Sequence, residues 1–262
     1  MLYCFMAEKW QKHLSNFETK IAINYKQRGS AFKIFKRRYY CPYLAKQTNI
    51  TRTSKAAIKQ RVKLLNAYYR RVDTFNSSNW ITAQSKFRPT ILEEFCGFLF
   101  KDSKEIKKLG LRLFSSEVYA GIKIDETGKV RTQTKYVDFC IGKEVNATFE
   151  QDSTNFIIPV IAIECKTYLD NTMFSEAQFT AQKLKQGAPN VRTYIVAETN
   201  EVKIAQIPSD SPIIQVYILR KKTGKPIDAD VFVKLYSEVT AALKGLMKTK
   251  TINFPGVFFL KV

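Results

Sequence analysis

The chain has 262 residues, 45% of them hydrophobic and 25% charged. That suffices for one large domain with its own core, or for a small domain joined to a medium one, and it argues against wholesale disorder. No run approaches the roughly 18 apolar residues of a membrane helix. Residues 1–10 lack a charged segment followed by an apolar stretch, so no signal peptide is expected and an intracellular soluble protein is the default.

Five cysteines, Cys4, Cys41, Cys96, Cys140 and Cys165, are odd in number and form no CxxC pair. They read as reduced, mostly buried thiols and not as disulfides or a zinc site. The single histidine, His13, excludes nucleases and hydrolases that need a histidine base or several histidine ligands. Set in a Lys-rich stretch, it reads as a surface residue. Hydrolysis by this chain would rest on carboxylates, lysine and metal.

The formal net charge is +20, and residues 1–71 hold 17 Lys or Arg against only Glu8 and Glu18. Three quarters of the excess thus sits in about a quarter of the chain, the electrostatic footprint of a polyanion partner such as nucleic acid. Residues 1–75 read as a basic, mainly helical DNA-binding region. Lys36, Arg37 and Arg38 precede Tyr39 and Tyr40, a mixture that can pair phosphates and stack on bases; the two tyrosines suit a core equally well. Ser54 can cap a helix whose apolar positions are Ile58, Val62, Leu65 and Tyr69. Its other faces carry Lys55, Lys59, Arg61, Lys63, Arg70 and Arg71, candidate DNA contacts.

Residues 74–80 are polar and turn-rich and read as a linker, so a second region is expected over 76–262. Pro89 suits the first turn of a helix running to about Lys101 with Ile91, Leu92, Phe95, Phe98 and Leu99 as its stripe. A hairpin follows, with strands over 119–124 and 130–141 around a turn at 125–129. The strand at 156–167 is apolar on both faces, as a central strand would be, and pairing is expected to begin after Pro159. A helix over 172–186, strands over 190–198 and 213–219, and a helix over 228–246 complete an α/β fold, a mixed sheet flanked by helices.

Two stretches carry chemistry. Val137-Asp138-Phe139 lies on the hairpin, and Ile163-Glu164-Cys165-Lys166 ends the central strand. Alternate residues of a strand share a face, so Glu164 and Lys166 point the same way, and adjacent strands would bring Asp138 to them. Two carboxylates suit a hard divalent cation such as Mg2+. A lysine beside them can orient water and offset charge developing on phosphate. The Cys165 carbonyl is a further candidate metal ligand.

This order and spacing resemble the PD-(D/E)xK nuclease superfamily, with Val137 in place of the nominal proline and a long gap between Asp138 and Glu164 that residues 146–155 could fill as a hairpin or loop. Five longer strings are more specific: Lys86-Phe87-Arg88-Pro89-Thr90-Ile91-Leu92-Glu93-Glu94, residues 119–125, residues 133–143, residues 159–170 and residues 189–194. They resemble the Bpu-ten-I/BbvCI-like family of type II restriction endonucleases over roughly residues 80–200. The resemblance implies a prokaryotic cytoplasmic enzyme that hydrolyses double-stranded DNA to 5′-phosphates at a short site, of the CCTNAGC kind, with paired subunits as a homodimer or heterodimer. It also draws attention to an acid on the helix before the hairpin. At about 100° per residue, Glu94 borders the apolar stripe and is expected to reach the site, whereas Glu93 looks solvated. Gln178, and less so Glu176, lie on the helix after Glu-x-Lys, at the site's periphery. A structure-specific repair nuclease and a non-catalytic DNA-binding protein remain as alternatives.

Overall fold

The computed structural model describes residues 8–79, 81, 86–149, 152–202 and 210–247; Cys4 and Trp80 fall outside them. The first layer is helical: α1 (Lys12–Ala22), α2 (Gly29–Phe35), α3 (Cys41–Asn49) and the long α4 (Lys55–Asn79). A π-helical turn, Lys36–Tyr40, joins α2 to α3. Pro42 supplies a reason: it has no N–H for the Arg38 carbonyl and its ring crowds that carbonyl, so the helix widens just ahead of it. The Ser54 hydroxyl caps α4, accepting from the Ala57 N–H at 3.3 Å.

Next come α5 (Pro89–Phe100) and the short α6 (Lys104–Lys108), then β1 (Arg112–Ile124), β2 (Val130–Phe149), β3 (Asp152–Leu169), α7 (Asn171–Gly187), β4 (Arg192–Asn200), β5 (Ile213–Ile218) and α8 (Ala229–Met247). The sheet order is β1-β2-β3-β4-β5. The first two pairings are antiparallel and the last two parallel, so the mixed sheet has the doubly apolar β3 at its centre. Ile161, Ile163 and Cys165 pack toward α5, α8 and the N-terminal helices, while Ala162 and Leu169 turn to the face covered by α7.

Several expectations are corrected. Residues 74–79 are no linker: they are the last turns of α4, whose Phe75 is buried. The boundary drawn at 75/76 therefore falls inside a helix. One apolar cluster runs from Phe17, Phe32 and Leu65 through Phe95 and Phe139 to Tyr194. Pairing of β3 with β2 does not wait for Pro159. It extends to Asp152, with Val160 extruded where the register slips between Ile141 and Gly142, and residues 146–149 pair with 152–155 within the gap. On the β4 side, pairing does begin beyond the proline, at Ile161.

His13 is also not on the surface. It is fully buried, with Nδ1 2.8 Å from the Thr90 hydroxyl and Nε2 2.8 Å from the Tyr68 hydroxyl, and burial lowers its pKa to about 3. The nearby aromatic side chains of Phe17, Tyr40 and Phe87 cover a helix that charge composition alone makes look solvated.

Candidate active site

Asp138 owes its position to an irregularity of β2. Phe114 pairs with Cys140 and Ser116 with Val137, so Ser115 alone faces both Asp138 and Phe139. Such a bulge re-aims the extra side chain. At the same level β2 and β3 part: their pairing ends at Phe139–Ile163, while β3 continues along β4 through Glu164 to Leu169. The Asp138 carboxylate fills the opening, accepting from the Cys165 N–H at 2.8 Å where a ladder carbonyl would otherwise stand. A residue's N–H and C=O leave an extended strand by the same edge, so the Cys165 carbonyl faces the same opening. Its thiol is buried on the opposite face, 3.9 Å from the Cys96 sulfur.

Glu164, 7% exposed, accepts from Lys166 Nζ at 3.2 Å, and its carboxyl is within hydrogen-bonding reach of Asp138. Burial and the neighbouring Asp138 charge raise the Glu164 pKa to about 7. Burial also raises that of Asp138, against the pull of Lys166 and the Cys165 N–H. Burial opposes the Lys166 charge, yet Glu164 and Asp138 outweigh it and hold the ammonium above its usual value.

The third carboxylate is Glu93, not Glu94. Glu93 is 7% exposed and feels Asp138 and Glu164 strongly enough, after burial itself, to reach a pKa of about 8, with Lys12 and Lys166 pulling the other way. Glu94 turns into the helical layer, where it accepts from the Leu14 N–H at 3.0 Å and the Tyr40 hydroxyl at 2.9 Å; burial lifts its pKa to about 7 against those two bonds. The helical-stripe argument fails because α5 has no solvent side: every residue from Thr90 to Phe100 is buried. That Glu93 sits opposite the stripe, with a covering layer to come, was the signal available in the sequence.

The surroundings include groups that sequence reasoning missed. Lys12, at the start of α1, lies over the Tyr136 ring, its ammonium 5.1 Å from the centroid. Lys86 is close enough to Asp138 to favour its ionised form. Gln178 is half-buried on α7 and takes no part in the hydrogen bonds of the carboxylate cluster; Glu176 is exposed.

Among the described residues no three Asp, Glu, His or Cys side chains enclose a point where a cation could sit. Asp138 and Glu164 nevertheless offer the pair of hard oxygen donors that magnesium usually takes from protein, the rest of its shell being water and phosphate. The donor set fits a divalent cation, and so does a cluster of carboxyls whose ionisation burial opposes and a cation would favour.

The basic candidates divide. Arg37, Arg38, Lys63, Arg70 and Arg71 are exposed, and Arg38 and Arg71 flank the half-buried Tyr39 ring at 5.3 and 5.5 Å. Tyr40 is core. Lys55 and Lys59 pair with Asp230, and Lys36 pairs with Glu18. Arg61 drops out as a DNA contact: it is 2% exposed and donates to the Gln47 carbonyl at 2.7 Å, the Ile50 carbonyl, and Asp102 at 3.3 Å.

Comparison with known proteins defines the class. A chain of the solved native BbvCI A2B2 tetramer superposes with a TM-score of 0.73 over 94% of this chain and 99% of that one, at 16% identity; the fold is that of a restriction endonuclease. The Bpu10I restriction endonuclease family profile matches residues 84–238. That is more than half of the sequence, and the chain belongs to this family. It is a restriction enzyme or a subunit of one. No curated protein sequence matches it significantly. Among the described residues no helix is long and apolar enough to cross a membrane.

Proposed function

We propose that the chain hydrolyses phosphodiester bonds of double-stranded DNA at a short specific site, of the CCTNAGC kind, with Mg2+ held at the opening between β2 and β3. The observation that carries the proposal is the convergence of Asp138, Glu164 and Lys166 where the two strands part. Asp138 and Glu164, with the Cys165 carbonyl, would hold the ion, which when bound polarises the scissile phosphate and acidifies water. Glu93 serves as an additional carboxylate at its margin, in the place first given to Glu94. Lys166 orients the attacking water and offsets negative charge on the phosphorus-centred transition state. Burial keeps competing water away and strengthens each of these interactions. Gln178 borders the site, and the exposed bases of α2–α4 hold the flanking phosphates.

Cutting both strands calls for two such centres. A homodimer or a pairing with a related chain supplies them, and the A2B2 organisation of the similar BbvCI supports the second arrangement. The test is incubation of supercoiled plasmid with the purified chain and magnesium, beside Lys166→Ala and Glu164→Ala. Discrete fragments, or nicks at discrete places if a partner subunit is needed, are expected from the wild type and not from either variant. Intact plasmid bound in a salt-sensitive way, unaffected by either substitution even with a candidate partner chain, would leave a DNA-binding protein.

A further inference from the structure

The hairpin between β1 and β2 runs past the body of the molecule. The end of α7 packs against its root so closely that a Cβ on Gly187 would lie 2.3 Å from the Ala120 carbonyl carbon. Just beyond, β1 slips register between Tyr119 and Gly121, and Gly121 has φ +147°, a value that side chains rarely adopt. From Ile122 to Gln133 no residue is buried, so both faces of the ribbon reach solvent.

The tip is firmly built. Asp125 accepts from the N–H groups of Thr127 at 2.9 Å and Lys129 at 3.0 Å, from the Thr127 hydroxyl at 2.6 Å, and from Arg131 Nε at 3.0 Å. Cross-strand partners share a face. Lys123 pairs with Arg131 on one, whereas Ile122–Thr132 and Ile124–Val130 pair on the other. Ile122 is 52% and Ile124 72% exposed. On α7 beside the root, Phe179 is 53% exposed with the ammonium groups of Lys135 and Lys183 at 5.1 and 5.7 Å from its ring.

We infer that this ribbon is the base-reading element of the protein and enters a groove of duplex DNA. The inference rests on the DNA-cleaving reading above. The major groove, about 12 Å wide, admits a two-stranded ribbon. Lys123 and Arg131 present donors to guanine edges or phosphates, and Ile122 and Ile124 present methyl groups that suit thymine. Lys123, Lys129, Arg131 and Lys135 outnumber the acids Asp125 and Glu126, the first of which is taken up by the turn and Arg131, and this excess of positive charge favours a polyanion as occupant over a second protein surface. Gln133 and Asp138 lie on the same strand five residues apart, about 17 Å, so the ribbon and the carboxylate cluster can engage one duplex together.

Selection from a random duplex library tests this. It is run with the full chain in a Lys166→Ala background, so that no product forms, and the captured DNA is sequenced. The parent is expected to enrich one motif. Adding Lys123→Ala with Arg131→Ala should abolish the enrichment while lowering affinity for random duplex by no more than about tenfold. Lys123→Gln, whose neutral side chain leaves Arg131 to its bond with Asp125, should also reduce the enrichment and so excludes collapse of the tip.

An unchanged motif in both variants would overturn the inference, as would a parent that enriches none. So would unchanged selection together with dissociation of an oligomer by Ile122→Asp/Ile124→Asp, which would make the ribbon a subunit contact. A parent that enriches a motif, beside a wild type that leaves plasmid intact in magnesium even with a candidate partner chain, would sink the nuclease reading and leave the ribbon's role standing.

Discussion

Two polar clusters meet on α5, one residue apart. Around Glu94 the buried groups answer one another: its two oxygens accept from Leu14 and Tyr40, and both nitrogens of His13 find hydroxyls. Around Glu93 they do not. Three carboxyls lie within electrostatic reach of one another, with Lys166, Lys12 and Lys86 as the cations that oppose them. Buried polar groups that hold a fold together are generally satisfied, whereas mutually perturbed carboxyls mark sites where something else completes the set. The first cluster fixes α1 and the π-helical turn onto α5; the second is the one that, under the proposed function, metal and phosphate would complete.

The largest expected effect separates the clusters by activity. Lys166→Ala and Glu164→Gln should each slow DNA cleavage by about 10³-fold or more, with the melting temperature of Glu164→Gln held or raised, since that change removes a buried like charge. An active Glu164→Gln protein would break the comparison. On the other side, Glu94→Ala should cost about 3 kcal/mol of stability in a denaturant titration. It strands the Tyr40 hydroxyl and the Leu14 N–H and leaves a cavity. The cleavage rate per folded molecule should stay within about threefold.

Glu93→Gln should reverse that pattern, with cleavage slower by about 10- to 100-fold and no loss of stability. A stability loss with full activity would exchange the roles assigned to the two neighbours.

The pH dependence sharpens the contrast. Glu94 titrates at about 7 in the fold against about 4.5 unfolded. Its contribution is therefore complete below about pH 4.5 and lost as pH rises through 7. His13 runs the other way: with its folded value at about 3 and an unfolded one near 6.5, its contribution is present above pH 6.5 and lost as pH falls toward 3. Glu94→Gln should thus be more stable than wild type at pH 8, by up to about 3 kcal/mol, and equal to it near pH 4.5. Melting curves at the two pH values decide this.

The smallest effect belongs to the exposed bases. Arg70→Ala and Lys63→Ala should each reduce the salt slope of DNA binding by about one, whereas Arg61→Ala should act on folding and not on that slope.

Much of this arrangement was legible in the sequence. The apolar run of β3 marked a central strand, the alternation of Glu164 and Lys166 put them on one face, and the order of strands and helices gave the mixed sheet. What local pattern could not supply was depth and irregularity. The helical layer over α5 depends on long-range contacts, so a stripe argument that assumed a solvent side chose Glu94 over Glu93. The same covering buried His13 and turned Arg61 into a clamp on the end of α3. The bulge that aims Asp138 is a mismatch between two strands, and no single strand's alternation reveals it.

The central claim is tested most directly by Asp138→Asn. Asparagine keeps the acceptor for the Cys165 N–H and removes only the charge. Single-turnover cleavage in magnesium should slow by about 10³-fold with an unchanged or higher melting temperature. A wild-type rate would contradict the account, as would a loss of rate that merely follows a loss of folding.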